Sequence, residues 1–93
     1  MAKSQWWVYM IKTQSGKLYT GISTDVARRF KEHRGELGAN KGAKFFRSDA
    51  ALKVVYQEAC VDRSTASKRE AEIKKMQRYQ KLQLVDSSGL INA

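Results

Sequence analysis

Trp6-Trp7-Val8-Tyr9-Met10-Ile11, then Lys12-Thr13-Gln14-Ser15-Gly16-Lys17, then Leu18-Tyr19-Thr20-Gly21-Ile22: the reading of this run decides the fold. Two aromatic, apolar stretches flank a polar spacer that contains a glycine, the sequence signature of an antiparallel β-hairpin. Each strand carries one tyrosine. Side chains alternate between the faces of a sheet, so the hairpin register decides whether the two phenols share a face. A loop spanning 13–15 or 12–16 pairs Tyr9 directly with Tyr19, whereas a four-residue loop separates them.

Downstream of the hairpin, Thr24 is placed to cap a helix running from Asp25 to about Arg34, with Asp25 in the first turn and Gly35 as its stop. At a period of 3.6, Val26, Phe30 and Leu37 form one stripe that faces the sheet, and Arg28, Lys31 and Glu32 face outward. Arg29 and His33 lie four residues apart on the shoulder of that stripe. Their heads therefore emerge side by side at the rim of the sheet. The bland alternative is an Arg29 stem laid along the core and a half-buried surface histidine.

Residues 35–49 read as a loop with one short helical turn. Within it, Lys41, Lys44, Phe45 and Arg47 interleave cations with an aromatic ring, a pattern that grips phosphates and stacks on bases. Phe45 or Phe46 serves equally well as a plug for the core. Leu52 to Glu58 alternates around two valines and reads as a third strand, ended by Ala59, Cys60 and Val61. Cys60, in apolar company, reads as a small core filler and not a nucleophile.

Ser64 is placed to cap a second helix from Thr65 to about Met76, with an apolar stripe of Ala66, Ile73 and Met76. Glu70 falls on the edge of that stripe, while Glu72 lies opposite with Lys68 and Lys75. A carboxylate there is either paired with a cation, such as Lys74 one turn on, or a ligand for a hard metal ion. Arg78 to Val85 reads as a last short helix that turns Tyr79, Leu82 and Val85 to the core. Residues 86–93 read as a frayed polar tail.

Ninety-three residues, 42% apolar and 29% charged, make one domain, 1–93, with a single core. The order of elements gives an α+β fold, ββα-β-αα, with a three-stranded antiparallel sheet flanked by helices. The apolar runs are too short to span a bilayer and the N-terminus lacks the features of a secretory signal, so the expected location is cytoplasmic, without a membrane partner. One cysteine forms no internal disulfide and foresees no disulfide-linked partner; one histidine rules out His-rich zinc patterns. Eighteen Lys and Arg against nine Asp and Glu leave a net charge of +9, which favours a polyanionic partner, nucleic acid before membrane surface. Solubility alone is the bland reading of that charge. The sequence sets no oligomeric state.

The order of these pieces resembles the GIY-YIG endonuclease superfamily, most closely its small single-domain bacterial branch, the YhbQ-like proteins. Trp7-Val8-Tyr9 stands at the first family tripeptide and Tyr19-Thr20-Gly21 at the second. Arg29 follows Tyr19 by ten residues, His33 comes four later, and Ala66 to Lys74 matches A-x-x-x-E-x-x-I-K with Glu70 as the acid. The resemblance implies a metal-dependent endonuclease that hydrolyses phosphodiester bonds in DNA, structure-selective and linked to repair or recombination. It implies a single Mg²⁺ or Mn²⁺ on Glu70, charge neutralisation at the scissile phosphate by Arg29, and a water oriented or deprotonated by Tyr9, Tyr19 and His33.

The chain departs from the family pattern at four places. Trp7 and Val8 replace glycine and isoleucine, Thr20 replaces the second isoleucine, and Ile22 stands where some members carry a lysine. The asparagine that several members place after the acidic helix has no counterpart in Gln80-Lys81-Leu82. Two functions thus compete: a DNA nuclease, and a non-catalytic basic module for DNA or RNA with a vestigial site. Metal-dependent cleavage lost with Glu70→Ala separates them.

Overall fold

The structure, a computed structural model, describes residues 5–34 and 49–88. It has the α+β architecture expected: β1 (Trp6–Thr13), β2 (Leu18–Ser23), α1 (Val26–His33), β3 (Ala51–Cys60), α2 (Arg63–Lys75) and α3 (Arg78–Ser88). The sheet is antiparallel in the order β2-β1-β3. The predicted turn and interleaved residues of 35–48, including Lys41, Lys44, Phe45 and Arg47, lie outside the described residues.

As the central strand, β1 is buried on both faces, which is why its run is continuously apolar. Val8 and Met10 point to one side, into a core with Val55, Tyr56, Cys60, Ala66, Ile73 and Val85 beneath α2 and α3. Tyr9 and Ile11 point to the other side, with Val26 and Ala51, beneath α1. Cys60 is the core filler expected, and burial pushes its thiol pKa up.

Each fully buried aliphatic side chain in these layers contributes roughly 1.5–3 kcal/mol. The third strand bulges twice, as the register against β1 shifts between Met10 and Ile11 and again between Lys12 and Thr13. Those bulges explain the uneven burial along Ala51–Cys60.

Several local expectations are corrected. The hairpin closes with Thr13 N–H donating to the Lys17 carbonyl at 2.9 Å, around a 14–16 loop in which Gly16 takes φ +94°. Tyr9 therefore stands opposite Gly21, and Tyr19 opposite Ile11, instead of opposite one another. The shift is by an even number of positions, so both tyrosines keep one face.

Asp25, not Thr24, caps α1 by accepting from Arg28 N–H. Asp62, not Ser64, caps α2 by accepting from Thr65 N–H. A charged carboxylate at the cap outcompetes a hydroxyl one or two residues away, because the helix dipole adds to the hydrogen bond. In α3, Tyr79 and Leu82 are 61% and 41% exposed while Val85 is buried and Leu84 packs on the core, so the expected stripe is rotated. The helix continues through Asp86 and Ser87 to Ser88, where a frayed tail was expected.

Candidate active site

Tyr9 enters the site from the middle of the sheet. Its ring crosses the backbone of β2 at Gly21, so closely that a Cβ built on Gly21 would meet Oη at 2.6 Å and Cζ at 2.7 Å. Gly21 thus leaves a notch in the edge strand, and the phenol lies in it. The sequence carries this signal, a glycine inside a strand where another group approaches closely, but does not say which group approaches.

The phenol ends at His33, with Oη and Nε2 3.0 Å apart. His33 closes the last turn of α1 and is 4% exposed, far more buried than the surface histidine of the bland expectation. Burial first, and the neighbouring Arg29 charge second, lower its pKa to about 4. The imidazole is therefore neutral at pH 7, and Nε2 either accepts from the phenol or donates to it according to tautomer. Tyr19 packs against the same imidazole in a T-shaped arrangement, centroid to centroid 5.2 Å and 67° between planes.

One turn before His33, Arg29 sits at the same rim. Its Nη1 donates to Glu32 Oε1 at 2.7 Å, and its charge lies close enough to the Tyr9 phenol to act on that group's pKa. Glu32 was expected to face outward; it instead pairs with both Arg28 and Arg29. Its signal was the acid three residues after Arg29, a spacing that places both on one helix face. The Tyr9 pKa is raised well above the usual phenol value, mainly by burial and then by Tyr19, so the phenol stays protonated at neutral pH.

Glu70 comes from the opposite layer. α2 packs against β1 and β2 beneath the sheet, and the Glu70 charge still adds to the upward push on Tyr9. The edge strand is where groups from both layers can meet. Glu70 is paired with Lys74, Oε2 to Nζ 3.3 Å, with side-chain exposures of 23% and 56%. The ion-pair expectation is therefore met.

A hard cation also fits this carboxylate, because its counter-ion is a solvated lysine on a flexible stem that can withdraw. Among the described residues no cluster of three or more His, Cys, Asp or Glu gathers. Among the described residues Glu70 would therefore be the carboxylate to hold such an ion, and Mg²⁺ tolerates a site with few protein ligands.

Gln80, in the region of the absent asparagine, accepts from Gln77 N–H at 2.9 Å and caps α3. Thr20 Oγ1 is buried and, among the described residues, is without a hydrogen-bond partner. Among the described residues no helix is long and apolar enough to cross a membrane.

Comparison with known proteins bears directly on this arrangement. A family model described as the GIY-YIG catalytic domain matches residues 5–83. The chain is 44% identical over 85 residues to the UPF0213 protein plu4503 of Photorhabdus laumondii, covering 91% of this chain and 78% of that one. It is 46% identical over 83 residues to the UPF0213 protein DP2720 of Desulfotalea psychrophila, covering 89% and 73%. The solution NMR structure of the UPF0213 protein BH0048 from Bacillus halodurans aligns with a TM-score of 0.57 at 35% identity, covering 91% of this chain and 86% of that one.

Proposed function

The chain belongs to the GIY-YIG catalytic domain family, and on that premise we propose that it is a divalent-metal-dependent endonuclease that hydrolyses phosphodiester bonds in DNA, with RNA the alternative strand. Its working groups are Tyr9, Tyr19, Arg29, His33 and Glu70. The observation that carries the reading is the meeting of the Tyr9 phenol with His33 Nε2 at 3.0 Å, beside the Arg29 guanidinium. Glu70 would hold a single Mg²⁺ or Mn²⁺, which supplies Lewis-acid stabilisation of charge building on the phosphoryl oxygens.

The chain's own groups do the rest. Arg29 exchanges part of its bond to Glu32 for the non-bridging oxygens of the phosphate, which it can grip bidentately and without losing charge. The arriving phosphate offsets the Arg29 charge that depresses His33, lifting the imidazole toward the range where it takes a proton. His33 then accepts the Tyr9 hydroxyl proton as the phenol oxygen takes one from the attacking water; the water oxygen bonds to phosphorus while the P–O bond opposite breaks, and the leaving oxygen takes a proton from solvent. Tyr19 packs against the imidazole ring and limits water around it. Contacts of this kind read phosphate and shape, not base identity, so the reading is structure-selective cleavage of the branched or nicked DNA that arises in repair and recombination.

The test is incubation of the pure protein with nicked, branched and single-stranded DNA and either metal. Cleavage that needs metal and is lost in Glu70→Ala is expected. Cleavage unchanged in Glu70→Ala, or absent on every substrate, refutes the assignment. One observation favours a second reading: Gln80 is committed to capping α3, consistent with a basic module that binds without cutting. That reading expects binding without products.

A further inference from the structure

A cleft of about 260 Å³ opens where the hairpin turn meets the first turn of α3, lined by Lys17, Leu18, Arg78 and Lys81. Three of these four are cations and none is acidic. The walls are fixed in place. Arg78 Nη2 donates to the Gly16 carbonyl at 2.9 Å, which docks the guanidinium onto the turn and engages one of its five N–H donors.

The turn itself is closed by Thr13 and Lys17, while Gln80 accepts from Gln77 N–H to set the start of α3. Lys81 is half-buried and lines the cleft, so part of its stem lies against protein. Three cations on one concave wall focus field into the cleft and favour an anion there, with the Asp49 carboxylate acting on Lys17 from the turn side.

The position matters as much as the charge. Leu18 lies three residues from Gly21 along β2, on the order of 10 Å at strand rise. From the other side, α2 runs from Glu70 through Lys74 to its end at Lys75, and α3 begins at Arg78. A backbone laid over the notch at Gly21 and followed toward the turn runs into this cleft within a few phosphates.

We propose that the Lys17–Arg78–Lys81 cleft is a phosphodiester-binding subsite that holds the nucleic-acid strand to one side of the scissile position. It rests on the reading of this chain as one that acts on nucleic acid. The contacts are to backbone oxygens, so the subsite sets the register of the strand and not its sequence.

The experiment measures binding of a fluorescein-labelled branched DNA by anisotropy, without metal, across a series of NaCl concentrations. The K17Q/K81Q double variant is the probe, because neither side chain donates a hydrogen bond among the described residues. It should bind about tenfold or more weakly near physiological salt, and its log–log salt slope should fall by roughly 1.4–1.8, two contacts at 0.7–0.9 each. K17R/K81R should bind as the parent does. K31Q/K53Q, removing equal charge from the separate cleft beside α1, should change the slope less.

Parental affinity and slope in K17Q/K81Q, or an equal loss in K31Q/K53Q, overturns the subsite. Glu70→Ala assayed with metal reads the nuclease assignment separately. Cleavage lost in Glu70→Ala beside unchanged binding in K17Q/K81Q sinks the subsite alone. Weakened binding in K17Q/K81Q beside undiminished cleavage in Glu70→Ala sinks the nuclease site alone.

Discussion

Adding one methyl group at Gly21 tests the site geometry without touching any of its polar atoms. In Gly21→Ala the new Cβ falls 2.6 Å from Tyr9 Oη and 2.7 Å from Cζ, whereas comfortable contact begins near 3.5 Å. The phenol must withdraw by about 0.9 Å. Tyr9 is only 1% exposed, so the ring has no free side to turn toward.

Overpacking of this kind costs about 1–3 kcal/mol. A withdrawal of that size stretches the 3.0 Å contact with His33 beyond hydrogen-bond range, at about 1 kcal/mol more. The variant should still fold, with unfolding free energy lowered by about 2–4 kcal/mol in urea titrations. Cleavage should fall on the order of 100-fold, the scale of a 1 Å misplacement. His33, the sole histidine, should titrate closer to its ordinary value by NMR as its cover loosens. A Tyr9→Leu change in the same chain removes the clash, so the pair should destabilise less than the sum of its parts. Parental urea stability together with an unshifted His33 titration in Gly21→Ala would refute the notch.

Three further outcomes follow from other features. His33 is held near 4 in the fold and near 6.5 in the unfolded chain, so the unfolded state binds the extra proton and stability falls as pH drops through 6.5 toward 4. The loss should be roughly 1–3 kcal/mol, seen in urea midpoints against pH; a His33→Gln variant with the same slope between pH 5 and 6.5 would contradict it. Thr20, 3% exposed, has a buried hydroxyl without a partner among the described residues, so Thr20→Val should raise stability by about 1 kcal/mol, whereas a lower thermal midpoint would mean that the hydroxyl has a partner. Lys74→Gln frees Glu70 of its counter-ion and should lower the Mg²⁺ concentration that half-saturates cleavage; an unchanged midpoint would mean that no ion competes with the lysine.

What the sequence disclosed and what it withheld have physical reasons. The hairpin, third strand and helices were legible because apolar periodicity reports burial directly. Tyr9 and Tyr19 were rightly given one face but wrongly paired, because the register depends on Thr13. Its hydroxyl donates to Asp49 Oδ2 at 2.7 Å, and Asp49 also accepts from Ser15 N–H and Oγ. A contact spanning thirty-six positions is invisible to a local turn rule.

α3 was misread because its apolar residues are spread around the helix, and only packing on β3 selects Leu84 and Val85. Arg29 and His33 were placed together by spacing alone. The depth of His33 was not, since burial of an imidazole depends on Tyr9 and Tyr19 arriving from two other elements.

The division of labour along β1 has a wider consequence. Its even-numbered residues, Val8 and Met10, serve the layer that holds α2 and α3, while its odd-numbered Tyr9 serves the layer of α1, where it meets His33. A single eight-residue strand therefore ties the two layers together, because the core under Val8 and Met10 also seats α2, the helix that carries Glu70. Exchanging aliphatic side chains in that core would retune stability and the seat of Glu70 in one stroke.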